Sequence, residues 1–279
     1  IIIGELADDI TEKVELLVIS PGVPVDSPLV KKFEEAGVPV WGEIELAYNY
    51  DKGRIIAITG TNGKTTTTAL VGQIVKAYNE QTYVVGNIGN SYTGEVLKTS
   101  ENSYTVAEIS SFQLETVHRF HPVVSAILNI TPDHLNRHHT MECYAHTKER
   151  IAENQTKDDV CVLNMEDEEL YRFGSECKAS VVWFSSKRKP DKGAYLDGDD
   201  IRYTDGTQDK LMLNIHDMNL LGTHNYENVC AAIAMTKAVG IPDDIIIEQV
   251  KCFKAVEHRI EYVATKKGVW YYNDSKGTN

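Results

Sequence analysis

One stretch constrains the fold of this chain more than any other: Arg54-Ile55-Ile56-Ala57-Ile58-Thr59, then Gly-Thr-Asn-Gly-Lys-Thr, then Thr66 to Ala77. The first part is short, apolar and β-branched and reads as a buried strand. The last part reads as a helix with Leu70, Ile74 and Ala77 turned inward. Strand, glycine turn and helix form the context of a phosphate-binding loop, but this loop is short: two residues, Thr61 and Asn62, separate Gly60 from Gly63-Lys64-Thr65 where the usual pattern has four. Gly60 and Gly63 open backbone conformations closed to other residues, so N–H groups from Gly60 to Thr66 can converge on an anion at the helix N-terminus. Lys64 can reach the β- and γ-phosphates, and the Thr65 hydroxyl can ligate Mg²⁺. The bland alternative is a turn that happens to precede a lysine; the flanking strand and helix favour phosphate.

The same strand–helix rhythm extends beyond the loop. Strands are expected at Leu16–Ser20, Ile55–Thr59, Tyr83–Val85, Tyr104–Ile109, Val123–Asn129, Val160–Asn164 and Val181–Phe184, and helices at Met141–Asn154, Asn225–Val239 and Asp243–Lys251. This alternation predicts an α/β fold, a doubly wound and mostly parallel sheet with helices on both faces. Pro39, Gly42 and the polar Asn49–Gly53 mark one boundary, and Phe253–Glu257 a second. Lys187–Thr207, rich in Gly, Asp and Lys, reads as exposed hairpins or loops. No repeat or low-complexity tract occurs.

Composition narrows the partners. A length of 279 residues fits one large or two ordinary domains. With 28 basic and 41 acidic residues the net charge is −13, so the surface repels polyanions, nucleic acid is excluded as a partner, and any phosphate must be drawn by a local positive site. Five cysteines without CxxC spacing argue against a disulfide framework or structural zinc; most are expected to be buried thiols in a reducing cytosol. No apolar run approaches the ~18 residues that span a bilayer, and no charged-then-apolar leader opens the chain, so a soluble cytoplasmic protein is expected. Ile1-Ile2-Ile3-Gly4 already resembles a strand interior and Asn279 follows a strand-like segment, which suggests a longer protein at both ends.

Three further stretches carry chemistry. In YTVAEISSFQLE, Glu108 lies at the carboxyl end of an apolar strand, where open parallel sheets bind ligands, and can hold the Mg²⁺ of a loop-bound nucleotide. AILNITPDHLNRHHT delivers Asp133, His134, Asn136, Arg137, His138 and His139 into one loop. A neutral His134 can ligate a divalent metal, although clustered histidines on a loop are ordinarily solvated. On periodicity alone Lys148 is a surface lysine.

Together these stretches resemble the Mur ligase family of ATP-dependent amide-forming enzymes, whose shortened loop reads G-T/S-N-G-K-T/S. SPGVP at Ser20–Pro24, GNIG at Gly86–Gly89, EISSFQLE at Glu108–Glu115, NITPDHLNRH at Asn129–His138, THNYEN at Thr223–Asn228, HRIE at His258–Glu261 and NDSKGTN at Asn273–Asn279 follow in the expected order and are most similar to the member that joins D-glutamate to UDP-N-acetylmuramoyl-L-alanine. Gly277 departs from the usual Ala. The resemblance implies ATP and two Mg²⁺ ions as cofactors, a cytoplasmic monomer, and a role in peptidoglycan precursor synthesis. Lys64 and the loop would bind the β/γ-phosphates; Thr65 and Glu108 would hold the first Mg²⁺, and His134 the second, supported by Lys148 as a carbamylated lysine. Asn228 would contact adenine, Asp274 the ribose and Arg259 the γ-phosphate, while Asn87, Ser110 and Gln113 would lie near the muramoyl substrate. On charge alone, Arg259 and Asp274 read equally well as surface ion pairs.

The resemblance also implies three domains. Residues 1–50 would match part of the N-terminal uridine-nucleotide domain, 51–255 the central ATPase domain, and 256–279 the start of the amino-acid-binding domain. A P-loop kinase or GTPase would share Gly-Lys-Thr and a strand-end acid but would have no need of His134 and Lys148. A nucleotide-binding fragment without turnover, or a Mur-type ligase with another amino-acid specificity, are the remaining alternatives.

Overall fold

The computed structural model describes residues 9–254, 261–273 and 275. An amino-terminal piece contains α1 (Ile10–Lys13), β1 (Leu17–Ile19), α2 (Pro28–Glu35), β2 (Val40–Gly42) and α3 (Glu43–Tyr48). The phosphate-loop unit follows with β3 (Arg54–Thr59), α4 (Lys64–Tyr78), β4 (Thr82–Gly86), α5 (Tyr92–Glu95), β5 (Tyr104–Glu108), α6 (Ser111–Leu114) and β6 (Val124–Ile127). Next come α7 (Leu135–His138), α8 (Met141–Glu149), β7 (Val160–Asn164), α9 (Glu168–Glu176) and β8 (Ser180–Ser185). Strands β9 (Gly193–Asp197), β10 (Asp200–Thr204) and β11 (Asp209–Asn214), helices α10 (Thr223–Ala238) and α11 (Asp243–Cys252), and the hairpin β12 (Glu261–Lys266) and β13 (Val269–Asn273) complete the order.

Nine strands make the central sheet, in the spatial order β11-β10-β9-β8-β7-β6-β3-β5-β4. From β4 to β9 all neighbours are parallel, as the alternation of strands and helices predicts. The chain leaves β3 toward β5 and β4 on one side and continues through β6 on the other, which puts a topological switch point beside the loop that follows β3.

Burial on both faces explains the apolar strands. Ile56 and Ile58 of β3 pack with Leu70, Val71, Ile74 and Val75 of α4 and with Val229 to Met235 of α10. Ile55 and Ala57 face the opposite layer, with Tyr92, Leu114, Phe120 and Tyr144. Burying each such aliphatic side chain contributes roughly 1.5–3 kcal/mol. The expected helix at Thr66–Ala77 is α4, with Leu70 and Ile74 inward; Ala77, in contrast, is exposed.

Lys187–Thr207 forms a hairpin, as its turn residues suggest, but not an exposed one. It supplies β9, parallel to β8, and β10, which with β11 adds two antiparallel pairings, and it buries Ala194, Tyr195 and Ile201. Gly198 and Gly206 at the turns and the many charged residues mask strands of only five residues.

A second, two-stranded sheet pairs β1 with β2 in parallel over a small core of Ile19, Val30 and Val40. Helix α3 joins this piece to the central unit: Ile44 and Ala47 enter the central core, and the fully buried Glu45 accepts hydrogen bonds from the backbone N–H groups of His118, Arg119 and Phe120 (2.9, 2.9 and 3.2 Å). Among the described residues no helix is long and apolar enough to cross a membrane. Cys161 and Cys230 are buried, but Cys177 is half-buried and Cys143 and Cys252 are exposed, so most of the thiols are not in the core.

Candidate functional site

The loop from Gly60 to Thr65 leaves the carboxyl end of β3 and enters α4 at Gly63, whose φ of +82° is left-handed. A Cβ there would stand 2.3 Å from Asn228 Oδ1, so position 63 requires glycine on both conformation and space. Asn228, reaching across from α10, also accepts from the Thr67 hydroxyl (3.3 Å) and is 8% exposed. In this arrangement Asn228 braces the loop from behind.

Asn129, at the end of β6, braces it from the front. Its Oδ1 accepts from the backbone N–H groups of Thr61 (3.1 Å) and Asn62 (2.8 Å), and its Nδ2 donates to Asn62 O (3.1 Å). The Thr61 hydroxyl donates to Thr131 O and lies 3.2 Å from the Tyr144 hydroxyl. Sequence reasoning missed Asn129 and Tyr144 as part of the site, and the signal for Asn129 was a polar residue directly after an apolar strand next to β3. With two loop N–H groups engaged by Asn129, the anion-facing donors of this shortened loop are those nearer the helix, at Gly63, Lys64 and Thr65.

Two lysines meet at one carbonyl. Lys64 Nζ donates to Gly60 O (2.9 Å) and Thr61 O (2.8 Å), and Lys148 Nζ, arriving from α8, donates to the same Gly60 O (2.8 Å). Lys148 is only 1% exposed, which overturns the surface reading. Helical periodicity misplaced it because α8 buries its polar side against the loop. Burial, reinforced by the charge of Lys64 and opposed by Asp133, lowers the Lys148 pKa to about 7. A substantial neutral fraction therefore exists near neutrality, and the amine is nucleophilic there.

Glu108 ends β5 and is 1% exposed. Its Oε1 accepts from Asn87 Nδ2 (2.9 Å), and the Asn87 backbone N–H donates to Glu108 O (2.9 Å). Oε2 is buried with no hydrogen-bond partner, the one carboxylate oxygen among the described residues in that condition. A buried anionic oxygen left bare is costly unless a cation meets it. Gly86 permits this contact: at φ +101° its Cβ would fall 2.2 Å from Glu108 O.

His134 has a left-handed φ of +51° at the start of α7 and stays exposed, with Nε2 3.5 Å from Asp133 Oδ2. Contrary to the solvated reading of this histidine cluster, His138 is 2% exposed, 3.0 Å from the Ser111 hydroxyl, and its pKa is lowered by burial. His134 and Lys148 are linked through a row of rings: His134 to Phe112 at 4.9 Å, Phe112 to His138 at 5.5 Å, His138 to Tyr144 at 5.1 Å, and the Lys148 ammonium 4.6 Å over Tyr144. The two expected ligands of one metal share a neighbourhood without sharing a contact. Among the described residues no three His, Cys, Asp or Glu side chains converge to form an all-protein metal site. Mg²⁺ habitually binds through one or two carboxylates with phosphates and water completing the shell, so bare Oε2 beside a phosphate loop fits that ion better than a protein cage would.

Ser110 and Gln113 form a capping box at α6: Gln113 Oε1 accepts from the Ser110 N–H (2.9 Å), and Ser110 Oγ accepts from the Gln113 N–H (3.3 Å). They sit beyond β5, on the Glu108 side of the loop. Arg137 grips Glu115 through Nε and Nη2 (3.1 and 2.5 Å) and donates to Val23 O, tying the amino-terminal piece to the site. Arg259 and Asp274 lie outside the described residues.

Residues 58–236 match the profile of the Mur ligase middle domain. The whole chain is 81% identical to UDP-N-acetylmuramoylalanine--D-glutamate ligase of Lachnospira eligens and 53% identical to the enzyme of that name from Lachnoclostridium phytofermentans, covering 62% of each. It thus spans about three-fifths of the length of these curated relatives. Among solved structures, MurC (UDP-N-acetylmuramate-alanine ligase) from Thermotoga maritima superposes at a TM-score of 0.62 and 22% identity, over 93% of this chain and 60% of that one. A UDP-N-acetylmuramoyl-L-alanyl-D-glutamate--2,6-diaminopimelate ligase gives 0.66 and 19%, over 92% and 64%. At such identities the likeness is one of fold.

Proposed function

Because this chain belongs to the Mur ligase family, we propose that it carries the ATP-dependent condensing centre of an enzyme that joins D-glutamate to UDP-N-acetylmuramoyl-L-alanine in peptidoglycan precursor synthesis. The observation that carries the reading is the meeting of Lys64 and the buried Lys148 on Gly60 O. A P-loop kinase or GTPase has a use for the first lysine and none for the second.

A carboxylate is a poor acyl donor. In the proposed sequence the L-alanine carboxylate attacks the γ-phosphorus, the acyl phosphate forms as ADP leaves, and the D-glutamate amine then displaces phosphate. Lys64 leaves its loop carbonyls to meet the β/γ-phosphates, and the N–H groups at the start of α4 hold the same charge. Thr65 and Glu108 Oε2 are the groups that would hold Mg²⁺. When bound, that ion would neutralise charge on the transferring phosphoryl oxygens. Lys148, with its lowered pKa, is poised to take up CO₂ as a carbamate and, with His134, to support a second Mg²⁺. Asn228 would contact adenine, and Arg259 and Asp274 the γ-phosphate and ribose. Asn87, Ser110 and Gln113 would border the muramoyl substrate; Asn87 also holds Glu108 in place.

We assign residues 51–255 to the ATPase domain, residues 1–50 to part of the uridine-nucleotide domain and residues 256–279 to the start of the amino-acid-binding domain. The separate small core of Ile19, Val30 and Val40 and the separate β12–β13 sheet support that division. The test is ATP binding and phosphate release with Mg²⁺ and UDP-N-acetylmuramoyl-L-alanine. Mg²⁺-dependent ATP binding that Lys64→Ala abolishes is expected of this chain, and release stimulated by D-glutamate is expected when the rest of the amino-acid-binding domain is also present. Binding indifferent to Lys64→Ala overturns the nucleotide site, and stimulation by a different amino acid overturns the specificity.

A further inference from the structure

A single turn of helix stands between two strained residues. Helix α7 runs only from Leu135 to His138, and both His134 before it (φ +51°) and His139 after it (φ +65°) have left-handed backbones. Apart from Lys267 in the β12–β13 turn, no other non-glycine residue among the described residues has a positive φ. At His139 the chain reverses so tightly that the Thr140 N–H donates to His138 O (2.7 Å). Such conformations are unfavourable for residues that carry a side chain, and they persist only where the surroundings over-determine them.

Helix α6 supplies those surroundings. The Phe112 ring meets three side chains of the α7 turn: the His134 imidazole at 4.9 Å, the His138 imidazole stacked at 5.5 Å, and the Arg137 guanidinium at 5.2 Å. Its chain neighbours reinforce the grip. The Ser111 hydroxyl lies 3.0 Å from His138 Nε2, and Glu115 accepts twice from Arg137. Behind the ring, Phe112 shares with Pro21, Val23 and Val25 a seam too narrow for a water molecule, so it has no space into which to retreat. The capping box of Ser110 and Gln113 starts α6 two residues after Glu108, the last residue of β5. One short segment therefore carries Glu108 at its start and grips the turn that presents His134.

A phenyl ring packs against an imidazole without offering a donor or an acceptor to its nitrogens. The polar neighbour of His134 is Asp133, with Oδ2 3.5 Å from Nε2, a carboxylate of the kind that orients a ligating imidazole. Building on the proposed role of His134 at the second Mg²⁺, we infer that Phe112 is its positioning residue: the ring clamps the α7 turn and so fixes where His134 stands relative to Glu108. Phe112 acts through His134 alone, and the first cation site, proposed at Thr65 and Glu108, does not depend on it.

The experiment counts Mn²⁺ ions bound to this chain by electron paramagnetic resonance, with bicarbonate and a non-hydrolysable ATP analogue present. Two classes of bound Mn²⁺ are expected, the tighter at Thr65 and Glu108. Phe112→Leu keeps an apolar side chain and loses the ring; it should weaken the second class about tenfold and leave the first unchanged, a split that a merely structural role would not produce. Phe112→Met, which fills the space with a flexible chain, puts the same question if the leucine variant does not fold. An unchanged second class, or equal weakening of both classes, overturns the positioning role while the reading of His134 stands. His134→Ala separates the two ideas. If it leaves the second class intact, or if the unsubstituted chain binds only one class, His134 is not a ligand in this chain and the inference falls with that reading.

Discussion

Two carboxylates in this molecule are equally buried and differently bonded. Glu45, 0% exposed at the seam between the amino-terminal piece and the central unit, accepts three backbone N–H bonds from residues 118–120. Glu108, 1% exposed at the carboxyl end of the sheet, has one oxygen satisfied by Asn87 and the other bare. Burial alone does not distinguish architecture from chemistry. The unfilled valence does, because the cost of desolvating a carboxylate is offset at Glu45 by the fold itself and at Glu108 awaits a cation.

Replacing each acid breaks this comparison in opposite ways. Glu45→Ala strands the buried Phe120 donor and the part-buried donors of His118 and Arg119, a buried unsatisfied donor costing roughly 1–3 kcal/mol, and the expected loss is about 3 kcal/mol of unfolding free energy in a urea melt. An unchanged midpoint would show that the 118–120 turn finds other acceptors. Glu108→Gln should do the reverse. Its thermal midpoint should hold or rise, since a buried charge with a bare oxygen is removed, while Mg²⁺-dependent ATP affinity should fall about 100-fold, or about 2.7 kcal/mol. Undiminished affinity would remove Glu108 from the cation site.

How these two acids read in the sequence differs as well. Glu108 was legible because an apolar strand, YTVAE, announces its own carboxyl end and a phosphate loop lies on the neighbouring strand. Glu45 was not, since its partners are backbone groups seventy-odd residues away, and no side-chain pattern records which N–H groups will be left over at a turn. The six central-sheet strands expected from β-branched runs, together with β1, were placed well because strands buried on both faces must be apolar throughout. The β9–β10 hairpin could be read from its turn residues, but its burial and β11 escaped because the buried positions in these strands of five or six residues follow no regular period. Lys148 escaped for the converse reason: a cation next to the loop is buried by function-bearing geometry that helical periodicity does not encode.

That lysine extends the comparison to a basic group. In CO₂-free buffer both the folded and the unfolded chain hold its proton below about pH 7; between there and the ordinary 10.5 the unfolded chain keeps a proton that the folded chain has released. Stability therefore rises with pH across this window, and the contribution is lost as pH falls through about 7. Lys148→Met should remove the slope and raise stability at pH 6 by about 2 kcal/mol, since an apolar side chain of similar length replaces a buried charge. An identical pH–stability curve for both proteins would mean that Lys148 is solvated enough to titrate normally.

Asn129 is the smallest test and the one that probes how the shortened loop works. It occupies two N–H groups that a longer loop would turn toward phosphate, so its amide acts as a fixed stand-in for the missing residues, bracing Thr61 and Asn62 while Gly63 to Thr65 face the anion. Asn129→Ala frees the Asn62 donor, while the Thr61 N–H keeps its bond to the residue 129 carbonyl (3.0 Å), and it loosens the loop; the expected result is ATP affinity about tenfold weaker, or about 1.4 kcal/mol, with the melting midpoint nearly unchanged because water can reach the exposed Asn62. Asn129→Asp keeps both acceptor contacts and loses only the donation to Asn62 O, while placing a negative charge beside the phosphates. If rigidity is what Asn129 supplies, the Asp variant should bind inorganic phosphate and ATP less well than wild type and lose that deficit as salt is raised, whereas the Ala deficit should not respond to salt. Tighter ATP binding by the Ala variant would instead mean that the loop is held back by its brace.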